Sequence, residues 1–212
     1  MSDTGMSDTG MSETGMSETG TIPERQRPLM EATLRIIGRN GIDGVTHRAV
    51  AAEAGLSLGA ITHHFRSRDA LVEAALRHAL ARETGRLQAL ALSLQGKTMD
   101  AGAWLDALTA WYADELKGNA EAHIACYEAF LAAARSRRHA DVVQAWFATW
   151  RQSAALALAA AGSADPPRHA ELFVATLTGL VLQQLAAPRR SFRRETRDAL
   201  GRLVDGLLSQ DA

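Results

Sequence analysis

The sequence predicts an all-α protein, and three observations carry that expectation. From Arg27 onward apolar residues recur at helical spacing. No stretch keeps the period of two that a half-buried strand needs, and β-branched runs are scarce while alanine is abundant. Cap and breaker residues then divide the chain into helix-length pieces. The expected organisation is a tail at 1–20, a three-helix head with a helix-turn-helix at 21–66, and a helical domain at 67–212 with its first helix as connector.

The first helix should begin near Pro28, since proline is tolerated in a first turn but not mid-helix. It buries Leu29, Ala32, Ile36 and Ile37 and stops at Asn40-Gly41. Thr46 is a good N-cap for a short second helix ending at Ala54, and Gly55 suits the left-handed position after it. Ser57 caps a third helix through His64. Ser67 caps a long fourth, with Leu71, Ala75, His78 and Arg82 marking one face. Five more helices follow at about 100–117, 119–135, 139–161, 166–187 and 192–209. Breaks at Gly96-Lys97, Gly118, Gly162-Ser163 and Ala187-Pro188 separate them, and Pro166-Pro167 suits a helix start.

Composition narrows the class. Hydrophobic residues make up 47% and charged residues 22% of the 212, a globular balance rather than a disordered or membrane one. The net charge of −1 conceals an uneven distribution. Residues 21–86 carry ten basic and seven acidic side chains with four histidines, which makes the first folded segment a weak candidate to bind a polyanion. Cys126 has no second cysteine to pair with and fits a reducing cytosol. No secretory signal is evident, and the longest apolar stretch, 173–187, falls short of a membrane span and contains two glutamines. A cytoplasmic protein is expected. Residues 1–20 are the copies MSDTG, MSDTG, MSETG and MSETG, too polar to bury a core and expected to be disordered. Each copy begins Met-Ser, so Met1, Met6, Met11 and Met16 are all possible starts; the acidic tail could also compete with a polyanion for the basic head.

The stretch GLSLG at 55–59 matches the nucleophile elbow G-x-S-x-G, with His63 and His64 just beyond. An elbow places its serine between a strand and a helix above a parallel sheet. Here a strong helix former, AVAAEA, precedes it and no strands are available. Neither a nucleophile with its base, nor a metal set, nor a glycine-rich phosphate loop is found, so an enzyme is not expected and no cofactor is implied. Adjacent helical histidines point about 100° apart and make a poor metal pair. His123 and Cys126 have i, i+3 spacing without an evident third ligand, and a buried small thiol is the plainer role for Cys126.

The same stretch reads better as a turn between two helices. Ala51 is small where the helices cross, and Val50, Ala54, Leu56 and Ile61 fall where apolar residues lock such a pair. That leaves Leu58, Gly59, Thr62 and His63 on the outer surface of the second helix, whose N-terminus, capped by Ser57, favours a phosphate. A helix-turn-helix lays this second helix in the major groove of double-stranded DNA.

The run THRAVAAEAGLSLGAITHHFRSRDAL (46–71) closely resembles the TetR family of transcriptional regulators. The resemblance rests on the threonine opening the second helix, the A-x-x-x-G turn, the -HF- end and the S-[KR]-[DE]-A-L start of the fourth helix, about 45 residues with the first helix included. It implies a DNA-binding head, a ligand-binding and dimerising remainder, and a homodimer on a palindromic operator. It further implies a phosphate contact for Thr46 and a base-edge contact for Arg48, which can read guanine bidentately. Thr62 and His63 would lie in the groove, and His64 and Arg68 would touch phosphates. The family usually has tyrosine where this chain has Thr62, so that contact is lost or shortened. Leu58 either meets a thymine methyl or is a plain exposed leucine. His64 is either a contact or a packed histidine.

Two readings stand for the C-terminal part. The 166–187 helix is apolar nearly all round, at Leu172, Phe173, Leu177, Leu180, Val181 and Leu185, and the last helix has a stripe at Leu200, Leu203, Val204, Leu207 and Leu208. The resemblance implies that they pair with their mates in a four-helix dimer interface, the preferred reading; the alternative is that both close the monomer core. Trp104, Trp111, Trp146 and Trp150, with Tyr127 and Phe130, are either core packing or the lining of a cavity for a largely apolar small molecule, with Gln183, Gln184 or His123 as polar contacts. A repressor released by that molecule is the leading functional expectation. The alternative is an all-helical protein-interaction scaffold without DNA binding.

Overall fold

A computed structural model describes residues 26–94 and 100–209. Among them are nine α-helices, one 3₁₀ turn and no strand: α1 (Arg27–Asn40), the turn Ile42–Gly44, α2 (His47–Ala54), α3 (Leu58–His64), α4 (Arg68–Leu94), α5 (Ala101–Gly118), α6 (Ala120–Ser136), α7 (Ala140–Ala160), α8 (Pro166–Ala186) and α9 (Phe192–Ser209). The repeat tail and the expected break at Gly96-Lys97 lie outside the described residues. No described helix is long and apolar enough to cross a membrane.

Local chemistry sets the helix ends. Thr46 Oγ1 accepts from Ala49 N at 3.0 Å, Ser57 Oγ from Ala60 N at 3.2 Å and Ser67 Oγ from Ala70 N at 3.1 Å, each satisfying a first-turn donor that the helix itself cannot. Gly55 is left-handed, and the amides of Gly55 and Leu56 return to the carbonyls of Ala52 and Ala51, closing α2 in a Schellman motif. That geometry corrects one expectation. Leu56, read as an apolar lock between α2 and α3, leaves the turn pointing outward and is 41% exposed. Val50 and Ile61 do the locking and are fully buried. The buried face of α4 is also broader than the expected stripe: Leu71, Val72, Ala75, Leu76 and Ala79 are buried, while His78 is half-buried and Arg82 is exposed.

Two apolar cores result. One joins α1, α2, α3 and α4 to the faces of α6 and α7; the other lies between α5, α7, α8 and α9. The first core therefore runs without interruption from the helix-turn-helix into the body. Helix α1 meets α6 so closely that a Cβ on Gly38 would stand 2.3 Å from the Glu121 carbonyl oxygen. Arg39 clamps the crossing, with Nε 2.6 Å from Glu121 on α6 and Nη1 3.2 Å from Glu53 on α2. The stripe of α9 buries Leu200, Val204 and Leu207 within the monomer, whereas α8 leaves Leu172 and Leu182 exposed.

Candidate functional site

Helix α3 has seven residues and one buried side chain, Ile61. Burying it contributes about 2 kcal/mol, enough to dock a short helix already capped at its start. Everything else on α3 is turned outward except half-buried Ala60, so Leu58, Gly59, Thr62, His63 and His64 form an exposed face. Thr62 Oγ1 lies 3.2 Å from the carbonyls of Leu58 and Gly59 and so donates back to its own helix. Beside this face, Arg48 stands exposed on α2 one residue past His47. Neither Arg48 nor Arg66 has an ion-pair partner among the described residues, so neither must give up a carboxylate to meet a phosphate or a base. His47, which sequence reasoning passed over, bonds through Nε2 to the Phe65 carbonyl at 2.9 Å and ties the start of α2 to the end of α3.

Arg68 has a different setting. Its Nη2 donates to the Ile42 carbonyl at 2.6 Å and to Asp43 at 2.8 Å, fastening the start of α4 to the 3₁₀ turn of the head. The same hydrogen bond holds the Asp43 carboxyl below its usual range. Ser57, the residue of the elbow motif, sits between two helices and spends its hydroxyl on a cap.

The aromatic residues divide. Trp104 stacks on Phe173 at 4.8 Å inside the second core. Tyr127, Phe130, Trp146 and Trp150 form an edge-to-face run between the cores, with centroids 5.5 to 6.0 Å apart. Tyr127 donates its hydroxyl to the Thr178 carbonyl at 2.6 Å. Trp111 and Trp146 instead line a recess with Arg82, Glu115, His123 and Cys126. Measured to its open mouth the recess is about 340 Å³, but its enclosed part holds about one water. Gln183 is exposed on α8 and does not line it. Glu115 was missed in the sequence, and Arg82 was read only as marking a face of the fourth helix, because each reads singly as a charge on a helix.

Burial pushes the His123 imidazole down to about 4. The folded value lies below the unfolded one, so as pH falls the unfolded chain takes the proton first and stability falls with it. That contribution is complete above about 6.5 and is lost progressively toward about 4, amounting to about 3 kcal/mol. Denaturant unfolding across this window should lose that amount, and His123→Leu should flatten the fall. An imidazole titrating near its free value in an NMR experiment would refute the burial argument.

Comparison with known proteins agrees with this arrangement. The family described as "Bacterial regulatory proteins, tetR family" matches residues 29–75, and "Tetracyclin repressor-like, C-terminal domain" matches 99–206. The chain belongs to the TetR family. The HTH-type transcriptional regulator PksA of Bacillus subtilis is 38% identical over 69 residues, 32% of this chain and 34% of its own length. The chain thus matches about a third of that curated TetR-family relative. Solved structures are matched over more of their length. A TetR-family member from Streptomyces coelicolor is 32% identical with a TM-score of 0.66, covering 85% of this chain and 98% of that one. The multidrug binding protein EbrR complexed with ethidium is 33% identical with a TM-score of 0.61, also covering 85% and 98%.

Proposed function

We propose that the protein is a dimeric, sequence-specific DNA-binding repressor that lays α3 in the major groove of an inverted repeat and is released by a small molecule held among α4 to α7. One observation carries this reading: the outward face of α3, built from residues that no core requires, beside an arginine without a carboxylate partner. In this reading Arg48 reads a base edge, Thr46, His64 and Arg68 position the head on phosphates, and Leu58, Gly59, Thr62 and His63 face the groove, with Ser57 presenting the helix to it. Leu172 and Leu182, exposed on α8, support a second copy covering that helix. EbrR, crystallised with ethidium, supports an aromatic guest for the recess bordered by Trp111 and Trp146.

The test begins with a footprint on the DNA upstream of the gene, followed by variants on the protected sequence. Arg48→Ala should cost roughly 1–3 kcal/mol at one operator position and relax base choice there. Arg68→Ala should weaken every sequence about equally. Exchange of these two patterns would mean that a base reader and a backbone clamp have been confused. A protein that binds no DNA at all would favour the scaffold reading.

A further inference from the structure

Five arginines fall within nine residues, Arg189 to Arg197, at the corner where α8 turns into α9. The corner is held in shape by its own bonds. The Gln184 side-chain amide accepts from Arg189 N at 2.9 Å and donates to the Arg189 carbonyl at 3.3 Å. Glu195 takes the Arg189 guanidinium at 2.9 Å and the Ser191 hydroxyl. Arg197 reaches across to Asp106 of α5 at 2.8 Å. Glu195 and Asp106 are thereby occupied. Arg190, Arg193 and Arg194 are exposed and have no ion-pair partner among the described residues.

Those three arginines border one concavity. With Arg197, Ser191 and Asp106 they line a shallow bowl between α5 and the corner, about 990 Å³ to its open mouth. Four guanidinium groups thus share the bowl with a single carboxylate, which Arg197 already neutralises. Like charges gathered in a concavity focus a positive potential there. Folding does not ask for this arrangement. Arg193 and Arg194 stand in the first turn of α9, where the helix dipole disfavours cations. Farther along, the exposed stripe of α9 alternates in sign through Asp198, Arg202 and Asp205, as a solvated helix face does.

The lining selects the guest. Arginine forks pair with the oxygens of phosphate two at a time. No aromatic side chain lines the bowl, so nothing there stacks on a base. Because the three arginines fall within five residues, an anion that they share must be short and multiply charged. The bowl also stands apart from the DNA-reading face. Asp106 lies in the second turn of α5, roughly 18 Å before Gly118 along the helix axis. Beyond Gly118 the chain enters α6, which meets Arg39 of the head through Glu121.

We propose that the bowl between the start of α5 and the α8–α9 corner binds a compact polyphosphate, held by Arg190, Arg193 and Arg194. The ligand is a short chain of phosphate groups, free or carried on a nucleotide. The site is independent of the effector reading above, since it uses no residue of the head or of the tryptophan-bordered recess.

Binding of tripolyphosphate, orthophosphate and ATP to the intact chain is measured by calorimetry at fixed ionic strength with metal ions chelated. Tripolyphosphate should bind at least about tenfold more tightly than orthophosphate, because one anion then meets several guanidinium groups. Replacing both Arg193→Gln and Arg194→Gln should weaken tripolyphosphate about tenfold or more, and Arg190→Gln alone should weaken it about threefold or more. Tripolyphosphate should raise the melting temperature of the wild type and not that of the double variant, whose own cooperative melting shows that it folds. Arg48→Gln, in the head, should leave tripolyphosphate binding unchanged. ATP bound at least as tightly as tripolyphosphate assigns the site to a nucleotide, and ATP bound more weakly assigns it to a free phosphate chain. Equal affinity for tripolyphosphate and orthophosphate, or unchanged binding in the double variant, overturns the site. So does binding lost in Arg48→Gln, which would put the anion on the DNA-reading face. If the double variant loses affinity for non-operator duplex DNA while keeping tripolyphosphate, the patch serves nucleic acid and the proposal fails.

Discussion

Raising salt from about 50 to about 200 mM is expected to weaken operator binding roughly 10²-fold. The magnitude follows from the head. With Arg48 assigned to a base edge, Arg66 and Arg68, which follow α3 in the chain, are left for phosphates, and two heads bring four. Each neutralised phosphate releases its condensed counterions, so a slope of about −0.9 per contact acts over a fourfold change in salt. An inverted repeat should bind far more tightly than a single half-site, because both heads contribute only when spaced correctly. A flat salt response, or a half-site bound as well as the palindrome, would end the docking proposal.

Gly38→Ala is expected to destabilise the protein by about 3 kcal/mol, lowering the melting temperature by roughly 6–12 °C. In an ordinary helix this substitution stabilises by up to about 1 kcal/mol, so the expected sign is reversed by one contact. The added methyl would stand 2.3 Å from the Glu121 carbonyl oxygen and 2.7 Å from its Cα, and backbone cannot swing aside as a side chain does. Helices α1 and α6 must separate, straining Arg39, which bridges them. Gly85→Ala is the control, because nothing lies within 4 Å of the place its methyl would take. If the two variants melt alike, the close crossing is not what holds the head to the body.

What the sequence revealed and what it concealed divide along the range of the forces involved. Thr46, Ser57, Ser67 and Gly55 act within four residues, so cap and turn chemistry placed the first four helices almost to the residue. Leu56 deceived because its direction depends on the left-handed glycine before it, not on its own apolarity. Gly38 gave no signal in the sequence, since its partner Glu121 lies on another helix far along the chain. Helical periodicity found the tryptophan faces but not their neighbours. Trp104 packs against Phe173, while Trp111 and Trp146 border the recess. The Arg82–Glu115 pair was equally hidden, being formed by two helices whose mutual placement no local pattern encodes.

The single anchor of α3 has an evolutionary meaning. Ile61 holds the helix to the first core, and its other side chains are exposed or, for Ala60, half-buried. Substitutions at Leu58, Thr62, His63 or His64 therefore draw little on folding free energy, since surface changes away from caps and cores usually stay within about 0.5 kcal/mol. A lineage can change the nucleotides it prefers while the rest of the molecule stays intact. Recognition of new promoters is thus open to drift by single steps, each passing through a protein that still folds.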